Sequence, residues 1–208
     1  MSRYQAGEID MTSTALPAGT FEQLKQKYGS ELTAKPALCT YYYEFNTQRP
    51  PFNDVRVRRA LSLALDRDIL TGKILGQGQP PAYGFLPSFI KNYQPNLPDW
   101  AKWPQEKRIS EAKKLLREAG YSEARPLEAT LLYNTSENNK KIAVAAVAMW
   151  QQSLGVVNIH IDNKEWKIHQ EARRKGDYQI ARASWCGDYN EPSSFLNILK
   201  TGNAYNRS

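Results

Sequence analysis

The sequence predicts an α/β domain with a parallel-rich sheet flanked by helices, and three observations carry that prediction. From residue 127 onward the hydrophobic period switches between about two and about 3.6 residues, giving strand, helix, strand, helix, strand in order. The long helix in that run is bracketed by a capping serine, Ser136, and a closing glycine, Gly155. Upstream, 38–45 reads Leu-Cys-Thr-Tyr-Tyr-Tyr-Glu-Phe, the aromatic and β-branched composition of a further strand.

The elements follow in chain order. The first 36 residues are irregular in pattern apart from a short helix over 21–28, with Thr20 as N-cap and Gly29 just past its end. After the 38–45 strand, 46–51 is a breaker cluster. Asn53 and Asp54 cap a helix to 65, whose apolar positions Val57, Ala60, Leu61, Ala64 and Leu65 lie at helical spacing. Asp66 caps a second helix over 67–75, ended by Gly76 and Gly78. Eight Gly or Pro residues in 77–104 make that stretch a long ordered loop or cover. A helix over 105–119 turns Ile109, Ala112, Leu115, Leu116 and Ala119 inward and closes at Gly120. The alternating run is then strand 127–133, helix 136–154, strand 156–161, helix 164–174 and strand 178–183, with a short helix over 191–199. Parallel strands joined by helices place ligands beyond the strands' carboxyl ends, which directs attention to the residues after 183.

Composition excludes several classes. The 208 residues are 41% hydrophobic and 24% charged, enough apolar matter for a core. The longest uncharged apolar stretch, 142–150, is nine residues, well short of the ~20 a spanning helix needs. The 28 Lys+Arg against 21 Asp+Glu give a net charge of +7, which raises the alternative of a basic nucleic-acid-binding domain. The cations at 56–59, 107–108, 113–114, 140–141 and 173–175 are dispersed over several helices among acidic residues, the pattern of solvated faces rather than of a binding stripe. No basic region followed by an apolar run opens the chain, which by itself describes a cytosolic protein such as an adaptor.

Motifs for catalysis are absent. His160 and His169 stand alone, with no His-Glu-x-x-His spacing and no Cys/His cluster, so neither a metal nor another cofactor is expected. There is no Gly-x-Ser-x-Gly elbow, and Gly76-Gln77-Gly78 runs into a Pro80-Pro81 pair rather than a phosphate-cradling helix. An enzyme is not expected. Two features remain. Cys39 and Cys186 lie at opposite ends of the strand system; they are either one long-range bridge or two separate thiols. The segment 183–192, Ala-Ser-Trp-Cys-Gly-Asp-Tyr-Asn-Glu-Pro, sets a carboxylate and two aromatics beyond a strand end. Asp188 there either holds a cationic group, such as a peptide's amino terminus, or shares with Asn190 the task of capping the next helix.

Four stretches carry a resemblance. Pro51-Phe52-Asn53-Asp54-Val55-Arg56-Val57-Arg58-Arg59-Ala60-Leu61 with Ala64-Leu65-Asp66-Arg67 is one; Leu38 to Glu44, Leu131 to Ser136 with Glu165-Trp166-Lys167, and Trp185 to Pro192 are the others. Together they resemble family 5 of the extracellular solute-binding proteins, the periplasmic dipeptide, oligopeptide and nickel receptors of ABC importers, with the closest likeness to its oligopeptide and murein-peptide receptors. The resemblance implies a periplasmic, non-catalytic binding protein of type II fold, in which two lobes close on an oligopeptide or murein tripeptide and deliver it to a membrane-embedded ABC permease. It implies a Cys39–Cys186 disulfide, pairing of Asp188 with the ligand's α-amino group, Arg173 and Arg182 near ligand carboxylates, and Trp185 and Tyr42 in the pocket wall. Asn139 stands where the oligopeptide receptors carry a histidine, so the preferred peptide length is not carried over. Because family members are much longer, 1–36 is expected to be the tail of a first lobe and its hinge approach. Residues 37–208 are then the second lobe, incomplete at its far end, and the lack of a signal segment reflects truncation.

Overall fold

Four strands form one sheet in the order β1-β4-β2-β3, seen in a computed structural model that describes residues 2–11, 20–33 and 35–207. The described part of 1–36 holds a single helical turn, α1 (Ser2–Gln5), and α2 (Phe21–Tyr28). They are tied by the Tyr4 hydroxyl on Glu31 at 2.6 Å and an edge-on Tyr4–Tyr28 contact. Residues 1, 12–19 and 34 of that stretch lie outside the described residues.

The 38–45 expectation becomes β1 (Cys39–Phe45), an edge strand pairing antiparallel with β4 (Ile180–Cys186). β2 (Leu127–Asn134) pairs parallel with both β3 (Val157–Lys164) and β4. The chain leaves β2 through α6 (Glu137–Leu154) to reach β3 on one side, then returns through α7 (Trp166–Lys175) to β4 on the other. Two crossovers of the same hand in opposite directions put their helices on opposite faces. Accordingly, Leu127, Ala129, Leu131, Tyr133 and Ile180 join α6 in the main core, whereas Leu132 and Ala181 pack with Ala172 of α7 and Tyr178.

The main core is completed by α3 (Val55–Ala64) and α5 (Gln105–Glu118). Asp54 caps α3 by accepting from the Arg56 amide at 2.8 Å, and Asp66 caps α4 (Arg67–Ile69) by accepting from the Ile69 amide at 3.0 Å. The expected 67–75 helix tightens only at its start; Leu70–Leu75 continues as a π-helical turn closed by Gly76 at φ 58°. Trp150 of α6 is almost wholly buried, and its indole N–H donates to the Leu61 carbonyl at 2.8 Å, joining two helices through a group that burial would otherwise strand. The glycine- and proline-rich 77–104 stretch is pinned to this body. Arg67 donates to the Ala82 carbonyl and lies over the Tyr83 and Trp100 rings. Burial lowers the Arg67 pKa to about 10.

The ends of β3 and β4 differ from the sequence expectation. β3 extends three residues further, through Lys164, because its whole length pairs with β2 up to Asn134. β4 starts two residues later than expected and runs to Cys186, because Ser184, Trp185 and Cys186 find partners on β1 across the sheet. Trp185 and Cys186 therefore belong to the strand, and the loop begins at Gly187.

Cys39 faces Cys186, and the two are joined in a disulfide across 147 residues. The adjacent Gly187 amide donates to the Leu38 carbonyl at 2.7 Å, which makes the cysteines a non-hydrogen-bonded pair, the position where antiparallel backbones approach most closely. By the loop-entropy argument such a bridge stabilises by roughly 4–5 kcal/mol. Urea unfolding with and without reductant is expected to show a loss of that order; equal midpoints would contradict it.

Candidate functional site

The carboxyl ends of β2 and β4, the face of the sheet toward α7, and the loop after Gly187 gather most of the residues singled out in the sequence. Gly187 is required by close approach: a Cβ there would stand 2.7 Å from the Phe195 ring and 3.1 Å from the Ser194 hydroxyl. That contact seats the loop on α8 (Ser193–Leu196). The Trp185 indole donates to the Ser194 carbonyl at 2.7 Å, and the Asp188 amide donates to the Ser194 hydroxyl at 2.9 Å.

The capping alternative for Asp188 and Asn190 is not what their side chains do. Pro192 precedes α8 with no side-chain cap, and the Asn190 side-chain oxygen instead accepts from the Lys91 amide at 3.0 Å. The Asp188 carboxylate is exposed and makes no hydrogen bond or ion pair among the described residues. Its backbone is fixed while its charge is uncommitted.

Arg182 presents the opposite case. Its guanidinium lies 4.8 Å from the centre of the Tyr41 ring and donates to the Asn134 side-chain oxygen at 3.3 Å. Its Nε is buried without an acceptor, and no carboxylate faces it among the described residues. Asn139, buried in the first turn of α6, donates to the Asn134 carbonyl and side-chain oxygen at 3.2 and 3.1 Å. Asn134 thus links Arg182 to Asn139 at the carboxyl end of β2.

On the α7 face, Arg173 is held inside the chain. Its Nη2 meets Glu44 at 3.0 Å, its Nε bonds the other carboxylate oxygen, and Nη1 donates to Gln170 at 2.9 Å. Burial alone would lower the Arg173 pKa; the bonds and charge of Glu44 more than offset it and raise the value. The structure therefore does not leave Arg173 and Arg182 as equivalent cations: one has its carboxylate, the other has none. Tyr42, on the opposite face of β1 from Tyr41, is edge-on to Phe85 at 5.2 Å, with its hydroxyl pKa raised by burial and then by Glu44. The Thr40 hydroxyl donates to the Phe85 carbonyl at 2.9 Å, so the 77–104 cover forms a wall beside β1.

His169 stands alone among the sequence motifs, and in the structure it is wholly buried. Burial, then the charges of Arg173, Arg182 and Arg207, lower its pKa to about 4. Glu44, Phe85, Asn134, Tyr178 and His169 were all missed in the sequence. Only Glu44 carried a signal, a lone charge near the end of an aromatic strand.

Set beside known proteins, residues 1–207 match the family model described as bacterial extracellular solute-binding proteins, family 5 middle. The chain belongs to family 5 of the bacterial extracellular solute-binding proteins. The periplasmic oligopeptide-binding protein OppA of Escherichia coli is 50% identical over 99% of this chain, and the periplasmic murein peptide-binding protein MppA of the same organism is 44% identical over 99%. The chain spans about 38% of the length of each. The E. coli MppA structure superposes with a TM-score of 0.92 at 43% identity, over all of this chain and 40% of that one. That of Haemophilus influenzae OppA in complex with RPPGFSPFR gives 0.90 at 44%, over 99% of this chain and 40% of that one. The α/β sheet is thus a family 5 fold.

In this family 5 chain, His169 makes stability pH-dependent. Above about pH 6.5 it is neutral folded and unfolded; as pH falls toward 4 only the unfolded chain takes up the proton, so stability drops. Urea unfolding at pH 7 and pH 4 is expected to show up to about 3 kcal/mol of that loss abolished in His169→Phe. An identical pH slope in both proteins would refute it.

Proposed function

We propose that this chain is the peptide-holding part of a periplasmic solute-binding protein of an ABC peptide importer, and that it grips peptides by their charged ends. The observation that carries the reading is the pair of uncommitted charges: the exposed Asp188 carboxylate and the Arg182 guanidinium with a buried, acceptor-free Nε. A buried donor left unpaired is costly, and a ligand acceptor removes that cost. A zwitterion offers an ammonium for Asp188 and a carboxylate for Arg182 in charge-assisted hydrogen bonds. Recognition of end groups, with side chains left to hydrated space, is tolerant of peptide sequence.

Trp185 and Tyr42 supply the aromatic wall, and Asn139, through Asn134, orients the carboxylate-binding side. Arg173, its donors occupied by Glu44, acts in this scheme by fixing the strand that carries Tyr42. The names of the matched relatives support an oligopeptide or a murein peptide as ligand. In the longer relatives' frame we assign 37–208 to the second lobe and 1–36 to the approach from the first. The remaining length would supply the facing wall of the cleft and the contact with the permease. The matched relatives' names also support a periplasmic location.

Calorimetric titration with tri-alanine tests this. Asp188→Asn is expected to weaken binding about 10- to 100-fold, the value of one charge-assisted bond, and Arg182→Gln by a similar factor. Acetylating the peptide's amino group should erase the effect of Asp188→Asn and leave that of Arg182→Gln. Affinity for the free peptide that does not change in Asp188→Asn would sink the end-group assignment.

A further inference from the structure

The segment 203–207 lies across the surface just assigned to the ligand. The Tyr205 ring meets Trp185 edge-on at 5.1 Å. Two residues on, the Arg207 carbonyl accepts from the Tyr178 hydroxyl at 2.6 Å. The Arg207 guanidinium is close enough for its charge to act on Tyr42, Tyr178 and His169. These are contacts of the kind a bound peptide makes: a side chain on an aromatic platform and a main-chain carbonyl on a hydroxyl donor.

The segment is also lightly held. Tyr205 remains 56% exposed, and the Arg207 Nε is buried without an acceptor. Local bonds hold it too: the Asn203 amide bonds to the carbonyl of Lys200, and the Asn206 side chain to those of Leu199 and Lys200, just past α8.

We propose that 203–207 is a built-in occupant of the peptide surface, which an incoming peptide displaces, the Tyr178 hydroxyl passing from the Arg207 carbonyl to a carbonyl of the ligand. This rests on the peptide-receptor reading above. An internal competitor lowers apparent affinity by the fraction of molecules in which it is seated, so loosening it raises affinity.

The test is tri-alanine binding by the 208-residue chain and its Tyr205→Ala variant, with the nuclear Overhauser contact between the Tyr205 ring and the Trp185 indole followed in the parent. Loss of one aromatic contact is expected to tighten binding about threefold to tenfold, and the ring contact is expected to vanish at saturating peptide. Binding that is unchanged or weaker in Tyr205→Ala overturns displacement while leaving the peptide reading intact, as does a ring contact that survives saturation. Absence of binding by both proteins overturns the peptide reading and the displacement with it.

Discussion

Antiparallel docking of β1 onto β4 is the interaction on which the rest of the site depends. It joins residues that are far apart in sequence, and it is secured at both ends. At one end the cysteines close a covalent link. At the other, the buried Asn46 side chain donates to the Gly176 and Tyr178 carbonyls, tying the exit of β1 to the turn before β4. Between these clamps Glu44 reaches α7 and fixes Arg173. The parallel part of the sheet supplies a frame, but without β1 there is no Tyr42, no partner for Arg173 and no ring beneath Arg182.

The chemistry of the site follows from which charges that docking satisfies. A buried guanidinium paired to a carboxylate through two bonds is a structural joint, and removing either partner leaves an uncompensated charge. A guanidinium resting on a ring with one side-chain amide as acceptor is an open valence. The two arginines look interchangeable as residues, being nine apart in a basic stretch. They differ because β1 brings one carboxylate to one of them. Asp188 is a different case again: a neighbour bonds its backbone, and its side chain is left to the solvent.

Much of the fold was legible because it is written locally. Asp54, Asp66 and Ser136 mark helix starts by chemistry that acts over two or three residues, and Gly155 closes α6 through its own backbone freedom. What could not be read is what depends on partners distant in sequence. The end of β4 moved because Trp185 and Cys186 pair with Thr40 and Cys39; nothing adjacent to them announces a strand. His169 is polar and lies on an amphipathic helix, yet it is buried because the α7 face meets Arg182 and the segment near Arg207. Phe85 sits in a stretch with no periodicity, and only the Thr40 hydroxyl and Tyr42 give it a place.

The three consecutive tyrosines of β1 have a consequence for how this strand finds its alignment. Tyr41, Tyr42 and Tyr43 alternate between faces, so a slip by one residue refills two of their three places with tyrosine and brings Thr40 or Glu44 into the third. The information that forbids it sits at the flanks, where Cys39 must meet Cys186 and Glu44 must meet Arg173. The strand is spelled in a repeated letter and punctuated at its ends, so replacing either terminal mark would blur the reading frame of the whole edge before it altered any single contact.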